Sequence, residues 1–151
     1  HLRAGEIPMN TILLNDVAQV DADVYLQTHS TNPLLKPATV REAVQRFHAA
    51  AEAGRADSLF TVTRIQARLW DAHGAPVNHD PDVLLRTQDL DPVYIENSCA
   101  YLFTKEVLVS RGNRIGASPM MFEIDPLEAT DIDEERDFRL AEALWRAGYR
   151  A

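Results

Sequence analysis

Cysteine is almost absent from this chain, and that scarcity narrows what the protein can be. The 151 residues contain a single cysteine, Cys99, so no disulfide can form within the chain. Proteins without disulfides are typical of a reducing compartment, and we expect this one in the cytoplasm. Cys99 precedes the apolar run at 100–103, which indicates a strand. We therefore predict a buried structural thiol rather than a nucleophile.

Long apolar runs and an excess of positive charge are also missing. No run approaches the roughly 18 residues of a membrane-spanning helix, and residues 1–5 show no apolar segment of a signal peptide. Lys and Arg number 15 against 23 Asp and Glu, which gives a net charge of -8. Nucleic-acid binding requires clustered basic side chains, so we expect neither nucleic acid nor a membrane as a partner.

Glycine is sparse too, and an initiator methionine is missing. The six glycines are scattered, and none builds a glycine-rich phosphate-binding loop between a strand and a helix. The chain begins at His1 in a polar stretch. With 46% hydrophobic and 25% charged residues, it has the composition of a globular domain. We expect one domain over 1–151, truncated at its N-terminus.

The rest of the sequence alternates between strand and helix patterns. Runs rich in β-forming residues predict strands at 23–27, 58–63, 99–103 and 120–124. Periodic apolar patterns predict helices at 11–18, 40–53, 105–111 and 138–148. Asn10 and Thr39 are predicted N-caps, and Glu42 would complete a capping box with Thr39. The alternation predicts an α/β fold, a mostly parallel sheet with helices on both faces.

Residues 67–91, called the excursion below, break this alternation. Pro76 and Pro81 interrupt them, Pro92 follows directly, and they show no helical period. Their apolar residues have no place in the parent core; these are Leu69, Trp70, Val77, Val83, Leu84 and Leu85. We predict that the excursion is an inserted segment that packs against a second subunit in a homodimer. A weaker hypothesis is that His79 reaches a site across that dimer.

The most informative polar feature is Asp131-Ile132-Asp133. Two carboxylates separated by one residue, in a turn after a strand, can share one small volume, where a cation must offset their repulsion. Mg²⁺ suits that arrangement because it binds through one or two carboxylates and leaves positions for substrate phosphates. The alternative is that these acidic residues only favour the N-terminus of the helix that follows.

Polar clusters follow three of the predicted strands. They are residues 27–32, the segment from Arg64 onward, and the Asp131–Asp133 turn. Ligands of open α/β sheets bind at the carboxyl ends of strands. We therefore predict that the three clusters converge on one cleft, although polar loops commonly follow strands in any case.

Three segments, in order, resemble the acylneuraminate cytidylyltransferases, the CMP-sialic acid synthetases. Residues 26–34 are similar to that family's Leu-Gln-Pro-Thr-Ser-Pro-Leu segment, with extra residues inserted. Arg86-Thr87-Gln88, followed by Tyr94, Asn97 and Tyr101, resembles its Arg-x-Gln and Asn-Gly-x-x-Tyr stretch, with Ser98 in place of the glycine. Asp131, Asp133 and Asp137 resemble its metal-binding turn and last helix.

The resemblance implies a Rossmann-like nucleotide-diphospho-sugar transferase fold and transfer of CMP from CTP to a 2-keto sugar acid, in a homodimer. It implies that Asp131 and Asp133 are catalytic and hold Mg²⁺. The substrate-binding residues that it implies are Gln27, Ser30, Arg86, Gln88, Asn97 and Tyr101. The family's glycine-rich phosphate loop has no counterpart here, so we expect this chain alone to be inactive.

The chemistry of these side chains is compatible with those roles but does not require them. The amides of Gln27 and Asn97 offer a donor and an acceptor to sugar hydroxyls, or they satisfy local turns. Arg86 can grip a carboxylate with two hydrogen bonds, or it is a surface arginine. Two other functions stay open: an inactive sugar-acid binding or assembly module, and another sugar nucleotidyltransferase on the same fold.

Overall fold

The computed structural model describes residues 7–149, in which one four-stranded sheet is surrounded by helices. Its elements are α1 (Met9–Gln19), β1 (Tyr25–Thr28), α2 (Pro37–Glu52), β2 (Ser58–Ile65), β3 (Val93–Phe103), α3 (Lys105–Arg111), β4 (Pro119–Glu123) and α4 (Glu135–Arg146). The α/β class predicted from the sequence is confirmed. The sequence also predicted that residues 1–5 carry no apolar segment of a signal peptide. These residues lie outside the described part of the chain.

The sheet is mixed, with strand order β1-β3-β2-β4. β2 and β4 pair in parallel, whereas β3 runs antiparallel to both β1 and β2. β1, β2 and β4 thus share one direction, as a mostly parallel sheet requires, but the pairing within the described residues is largely antiparallel. The reason is that the long β3 returns from the excursion and lies between β1 and β2.

Helices cover both faces of the sheet, as predicted. On one face, Ala43 and Phe47 of α2 pack with Leu59, Leu102 and other buried residues. On the opposite face, α1 and α3 contribute Leu13, Val17 and Leu108, which pack against Tyr101 and Phe103. The two cores alternate along β3 because successive side chains of a strand point to opposite faces.

The two predicted helix N-caps are wrong. α1 begins at Met9 behind Pro8, and Asn10 lies inside it, where its Nδ2 donates to Gly112 O at 3.0 Å. α2 begins at Pro37 with Lys36 as the N-cap residue. A proline fixes a φ angle suited to the first helical position, so α2 starts before Thr39 and no capping box forms there. The predicted bounds of α3 are confirmed.

The excursion carries one isolated bridge, between Trp70 and Pro76, and a short 3-10 helix at Thr87–Asp89. It is held together by polar side chains. Asn78 donates to Ala67 O at 2.8 Å and accepts from Leu69 N at 2.9 Å. Gln66 donates to Leu90 O at 2.6 Å. Most of its apolar side chains are exposed, and Leu84 is 92% exposed, whereas Leu69 is half-buried and Leu90 is buried.

None of the helices within residues 7–149 has the length and apolar character needed to cross a membrane.

Candidate functional site

The Asp131–Asp133 turn lies between β4 and α4, immediately before the N-terminus of α4. Capping of that helix is performed by other residues. Glu134 is the N-cap and forms a capping box with Asp137, whose Oδ2 accepts from Glu134 N at 2.9 Å. The hydrogen bond from Glu134 N, with a further one from Asp133 N, holds the pKa of Asp137 below its ordinary value. The capping explanation therefore accounts for Glu134 and Asp137 but not for Asp131 or Asp133.

The carboxylates of Asp131 and Asp133 are left with unused acceptor atoms. Asp131 Oδ1 is buried and has no hydrogen-bond partner among the described residues. A buried carboxylate oxygen without a partner carries a large desolvation cost, which a bound cation offsets. Asp133 is exposed, and its backbone N–H, not its side chain, contacts Asp137. The donor set fits Mg²⁺, which takes few protein ligands and keeps several waters.

A metal cage made of the protein alone is not present in the part of the chain that the structure describes. Within residues 7–149, no group of three or more His, Cys, Asp or Glu side chains is placed to hold a metal ion. The two carboxylates of the turn would thus leave most positions around Mg²⁺ to water and to substrate oxygens. That the two side chains face one cleft stays a prediction.

The loop after β1 is bonded to the turn. Ile132 N donates to Thr31 O at 3.0 Å, and Asn32 Nδ2 donates to Thr130 O at 3.4 Å. Asn32 is buried, and its Oδ1 has no partner among the described residues. These bonds bring residues 28–32 beside the Asp131–Asp133 turn, so two of the three predicted polar clusters meet.

An ion pair with a buried carboxylate anchors the segment that leads into the turn. Glu128 accepts from the backbone N of Lys36 at 3.1 Å and from its Nζ at 3.2 Å. The Lys36 ammonium also lies 4.2 Å from the ring centroid of Tyr149. Burial, with the charges of Asp131 and Glu128, raises the pKa of Cys99 to about 12. Cys99 is fully buried, which confirms the predicted burial of this thiol.

Gln27 and Ser30 lie together at the carboxyl end of β1. With Thr28, His29 and α1 they line a hollow of about 290 Å³. Gln27 Nε2 is 3.1 Å from His29 Nε2, and Gln27 Oε1 accepts from Arg114 Nη1 at 2.6 Å. The structure thus places two of the predicted binding residues beside one hollow.

Asn97 and Ser98 form a bulge in β3. Thr61 alone lies opposite residues 97–100, and its hydroxyl bonds both backbone groups of Ala100. Asn97 Nδ2 donates to Thr63 Oγ1 at 2.9 Å, and Asn97 Oδ1 accepts from Cys99 N at 3.3 Å. Both ends of the amide therefore support the local bulge, and its binding role stays a prediction.

Ser98 adopts a φ of 58°, a left-handed conformation that glycine adopts without strain. This explains why glycine suits the position in the resembling family. Tyr101 Oη donates its only proton to Glu96. The Ser98 hydroxyl, 3.1 Å away, therefore donates to Tyr101 Oη. Burial, together with the hydrogen bond to Glu96, raises the pKa of Tyr101 above its ordinary value.

Tyr101 itself is a core residue. Its ring has no exposed surface in the described structure, so it offers no face for direct contact with a ligand in this conformation. The Arg114 guanidinium lies 3.5 Å from the Tyr101 ring centroid. Tyr101 therefore acts in the structure as a platform beneath Arg114.

Arg86 and Gln88 are not brought to these residues. Both are exposed in the excursion, and Arg86 forms a two-bond ion pair with Asp89 at 2.7 and 3.0 Å. Within residues 7–149, no hydrogen bond or ion pair joins either side chain to Gln27, Asn97 or Asp131. Arg64 lies opposite Tyr94 on the outer part of the β2–β3 pair, so the third predicted cluster does not join the other two in the described contacts.

His79 packs edge-on against Trp70 with a centroid separation of 4.8 Å. Neither ring nitrogen has a hydrogen-bond partner among the described residues. Its proposed reach across a dimer stays a hypothesis.

Sequence reasoning missed three residues that organise the site: Asn32, Arg114 and Glu128. Asn32 was recognised only as part of a polar loop. Glu128 and Arg114 occur in polar segments without a periodic pattern, so nothing in the sequence distinguishes them from surface residues. Their partners are far away in the chain, and only the folded structure brings them together.

Comparison with protein families shows the family to which the chain belongs. A model of the family described as "Cytidylyltransferase" matches residues 9–148, which is nearly the whole chain. The chain belongs to the cytidylyltransferase family. The match includes every residue of the sheet and the Asp131–Asp133 turn.

One curated relative is similar to this chain in sequence. N-acylneuraminate cytidylyltransferase A from Danio rerio is 31% identical over 137 residues, which cover 85% of this chain. The match covers only 31% of that relative's length, so the chain spans about a third of it.

Two solved structures share the fold. One is CMP:2-keto-3-deoxy-manno-octonic acid synthetase in complex with CTP, with a TM-score of 0.63, 11% identity, and coverage of 95% of this chain and 70% of that one. Another is 4-diphosphocytidyl-2C-methyl-D-erythritol synthase from Anaerococcus prevotii DSM 20548, also with a TM-score of 0.63, at 10% identity and covering 94% and 68%. At such identities the likeness shows the fold alone.

Proposed function

We propose that the complete protein transfers CMP from CTP to a sialic-acid-like 2-keto sugar acid and releases pyrophosphate. The observation that carries the proposal is the Asp131–Asp133 turn, whose carboxylates are not used for helix capping and include a buried oxygen without a partner. The identity with an N-acylneuraminate cytidylyltransferase supports the choice of sugar acid.

The proposed reaction is an in-line displacement at phosphorus. The oxygen of a sugar hydroxyl forms a bond to the α-phosphorus of CTP, and the bond from that phosphorus to the bridging oxygen of the β-phosphate breaks. Pyrophosphate leaves with the electron pair, and the hydroxyl proton passes to solvent. Such a reaction depends mainly on positioning and on neutralising phosphate charge.

Asp131 and Asp133 would hold Mg²⁺, which supplies positive charge to phosphate oxygens when it is bound. The bonds from Ile132 N to Thr31 O and from Asn32 to Thr130 O fix the turn against the loop after β1. Gln27 and Ser30, at that same loop, would contact the hydroxyls of the sugar acid. A substrate bound there would lie between the phosphate site and the hollow next to α1.

We propose further that the excursion packs against a second copy of the protein. Its outward apolar side chains lack a partner in the parent core, and the polar clamps of Asn78 and Gln66 hold it in shape. A preformed segment with an apolar outer surface is typical of a subunit interface. A twofold dimer is the commonest arrangement that buries such a surface.

The single buried cysteine is consistent with a reducing cytoplasm.

The test is a substrate panel assayed with the protein expressed from its complete gene. CTP and the other nucleoside triphosphates are each paired with several 2-keto sugar acids and with sugar phosphates, and CMP-sugar and pyrophosphate are measured in parallel. We expect equal amounts of both products with CTP and one sugar acid. Turnover with only a sugar phosphate would show that the protein is another sugar nucleotidyltransferase. Binding of a sugar acid without turnover would show that it is an inactive binding or assembly module.

The variants Asp131→Asn and Asp21→Asn link that assay to the site. Asp131→Asn removes a charge from the turn and should lower turnover by about 100-fold or more, as is typical when groups that stabilise transition-state charge are removed. Asp21→Asn changes an exposed aspartate away from the turn and should leave turnover unchanged. Near-normal turnover by a folded Asp131→Asn protein would exclude the proposed role of the turn.

A further inference from the structure

We infer that Arg114 is a positioning residue that fixes the Gln27 amide as a hydrogen-bond donor toward the substrate. This inference rests on the proposed function for its substrate, but its geometry is independent of it. Arg114 lies in the loop between α3 and β4 and carries a partly buried side chain. Neither composition nor family resemblance singled it out.

The support beneath Arg114 is rigid. Its guanidinium lies 3.5 Å from the Tyr101 ring centroid, a separation at which a cation is attracted to an aromatic face. The Tyr101 ring is fully buried, and its hydroxyl is held by Glu96 and Ser98. A planar guanidinium on a fixed ring has little freedom, so its N–H groups have defined directions.

The contact with Gln27 determines which end of the amide faces the site. Arg114 Nη1 donates to Gln27 Oε1 at 2.6 Å, a short charge-assisted bond. A guanidinium carries donors only, so it cannot bond the amide nitrogen, and the oxygen must face it. Gln27 Nε2 then lies on the other side, 3.1 Å from His29 Nε2. A neutral His29 whose Nε2 carries no proton accepts that bond.

The consequence is a chemical preference in the hollow that Gln27 lines with Thr28, His29 and Ser30. A free glutamine amide offers a donor or an acceptor and can rotate to suit either. With its oxygen held by Arg114, the Gln27 amide cannot rotate, and the end that it turns away from Arg114 is its N–H. The substrate group that meets it must therefore be an acceptor, such as a sugar hydroxyl oxygen or a carboxylate oxygen.

The test compares Arg114→Met with Arg114→Lys and with the control Arg111→Met, which removes an exposed arginine of α3. In the protein expressed from its complete gene, Arg114→Met should raise the KM of the sugar acid about tenfold and leave the KM of CTP unchanged. Tenfold corresponds to about 1.4 kcal/mol, a single hydrogen bond. Arg114→Lys keeps a charged donor and should restore part of the loss. Arg111→Met should match the wild type.

Two readouts separate positioning from a structural role. The Arg114 charge lowers the pKa of Tyr101, so Arg114→Met should raise that pKa further in an ultraviolet titration of the tyrosines. In NMR spectra, the Gln27 side-chain amide protons should show a nuclear Overhauser effect to the His29 ring that Arg114→Met removes. Loss of that effect with an unchanged KM for the sugar acid would overturn the inference. Equal rises in both KM values with a lower melting temperature would show a structural role instead.

The NMR readout needs no turnover, so the two proposals fail in different ways. If the wild-type protein makes no CMP-sugar but the Gln27 to His29 effect depends on Arg114, the proposed function fails and the positioning geometry stands. If turnover occurs and the effect does not depend on Arg114, the function stands and the positioning role is wrong.

Discussion

The sheet with its helices and the excursion both contain many apolar residues but use them in opposite ways. The sheet buries its apolar side chains in two cores, one on each face, and Phe47, Leu59 and Tyr101 are almost wholly inaccessible. The excursion leaves Leu84 and several neighbours exposed and relies on Asn78, Gln66 and Arg68 for its shape.

The difference indicates that the sheet provides stability and that the excursion provides a surface for association. Burial of apolar area supplies most of the stability of a domain, so the sheet and its helices are the main support of the Asp131–Asp133 turn. The excursion buries little and gains its apolar contacts only if another molecule covers it. Substitutions confined to one region at a time measure what each region contributes.

The largest expected effect is in the core. Phe47→Ala removes a fully buried ring from the α2 face of the sheet and should lower the free energy of unfolding by about 3–5 kcal/mol. The control Val109→Ala, at an exposed position of α3, should change it by less than about 0.5 kcal/mol. Urea denaturation measures both. A Phe47→Ala protein as stable as the control would show that this core is not the main source of stability.

A smaller loss is expected from Gly116→Ala at the amino end of the sheet. A Cβ at residue 116 would lie 2.1 Å from Asp57 Oδ1, so the carboxylate must shift. That carboxylate accepts from Ala117 N at 2.7 Å and Ser118 N at 3.1 Å, and it cannot move without weakening those bonds. Overpacking of this kind should cost about 1–3 kcal/mol. Calorimetry would reveal an unchanged melting temperature if Asp57 relaxes freely.

Substitutions in the excursion should change the dimer dissociation constant more than the free energy of unfolding. Leu84→Asp places a charge on its most exposed apolar side chain and should raise the dimer dissociation constant at least about tenfold, which is about 1.4 kcal/mol. Sedimentation velocity across a concentration series measures the shift. Val109→Asp, exposed on α3, should leave the constant unchanged. A wild-type protein that is monomeric at micromolar concentration would refute the interface.

The smallest expected effect concerns acid stability at Asp57. Burial acts to raise the pKa of Asp57, but N–H groups of Ser118 and Ala117 and the Ser58 hydroxyl outweigh it and hold the pKa below the ordinary value of 3.8. A group with a lowered folded pKa stabilises the fold above its unfolded pKa and loses that contribution as pH falls through the folded value. The stability gap between wild type and Asp57→Asn should therefore close below pH 3.8. A gap that is constant with pH would contradict this.

The sequence predicted the sheet and helices well because apolar periodicity encodes them directly. It was wrong at the starts of α1 and α2, where a proline rather than a capping side chain sets the boundary. It also did not reveal that β3 runs between β1 and β2, since strand order depends on which segments meet in space. Gln27 and Ser30 lie beside one hollow, and their binding role stays a prediction. Arg114 was missed because its contacts join residues distant in the chain.

The most direct test of the account is a titration of Mn²⁺, as a spectroscopic substitute for Mg²⁺, followed by electron paramagnetic resonance in the presence of CTP. The complete wild-type protein should bind the ion together with the nucleotide. Asp131→Asn should bind it at least about tenfold more weakly, since loss of even supporting groups around a metal costs that much. Asp21→Asn should match the wild type. Equal ion binding by wild type and Asp131→Asn would contradict the claim that this turn is the metal and phosphate site.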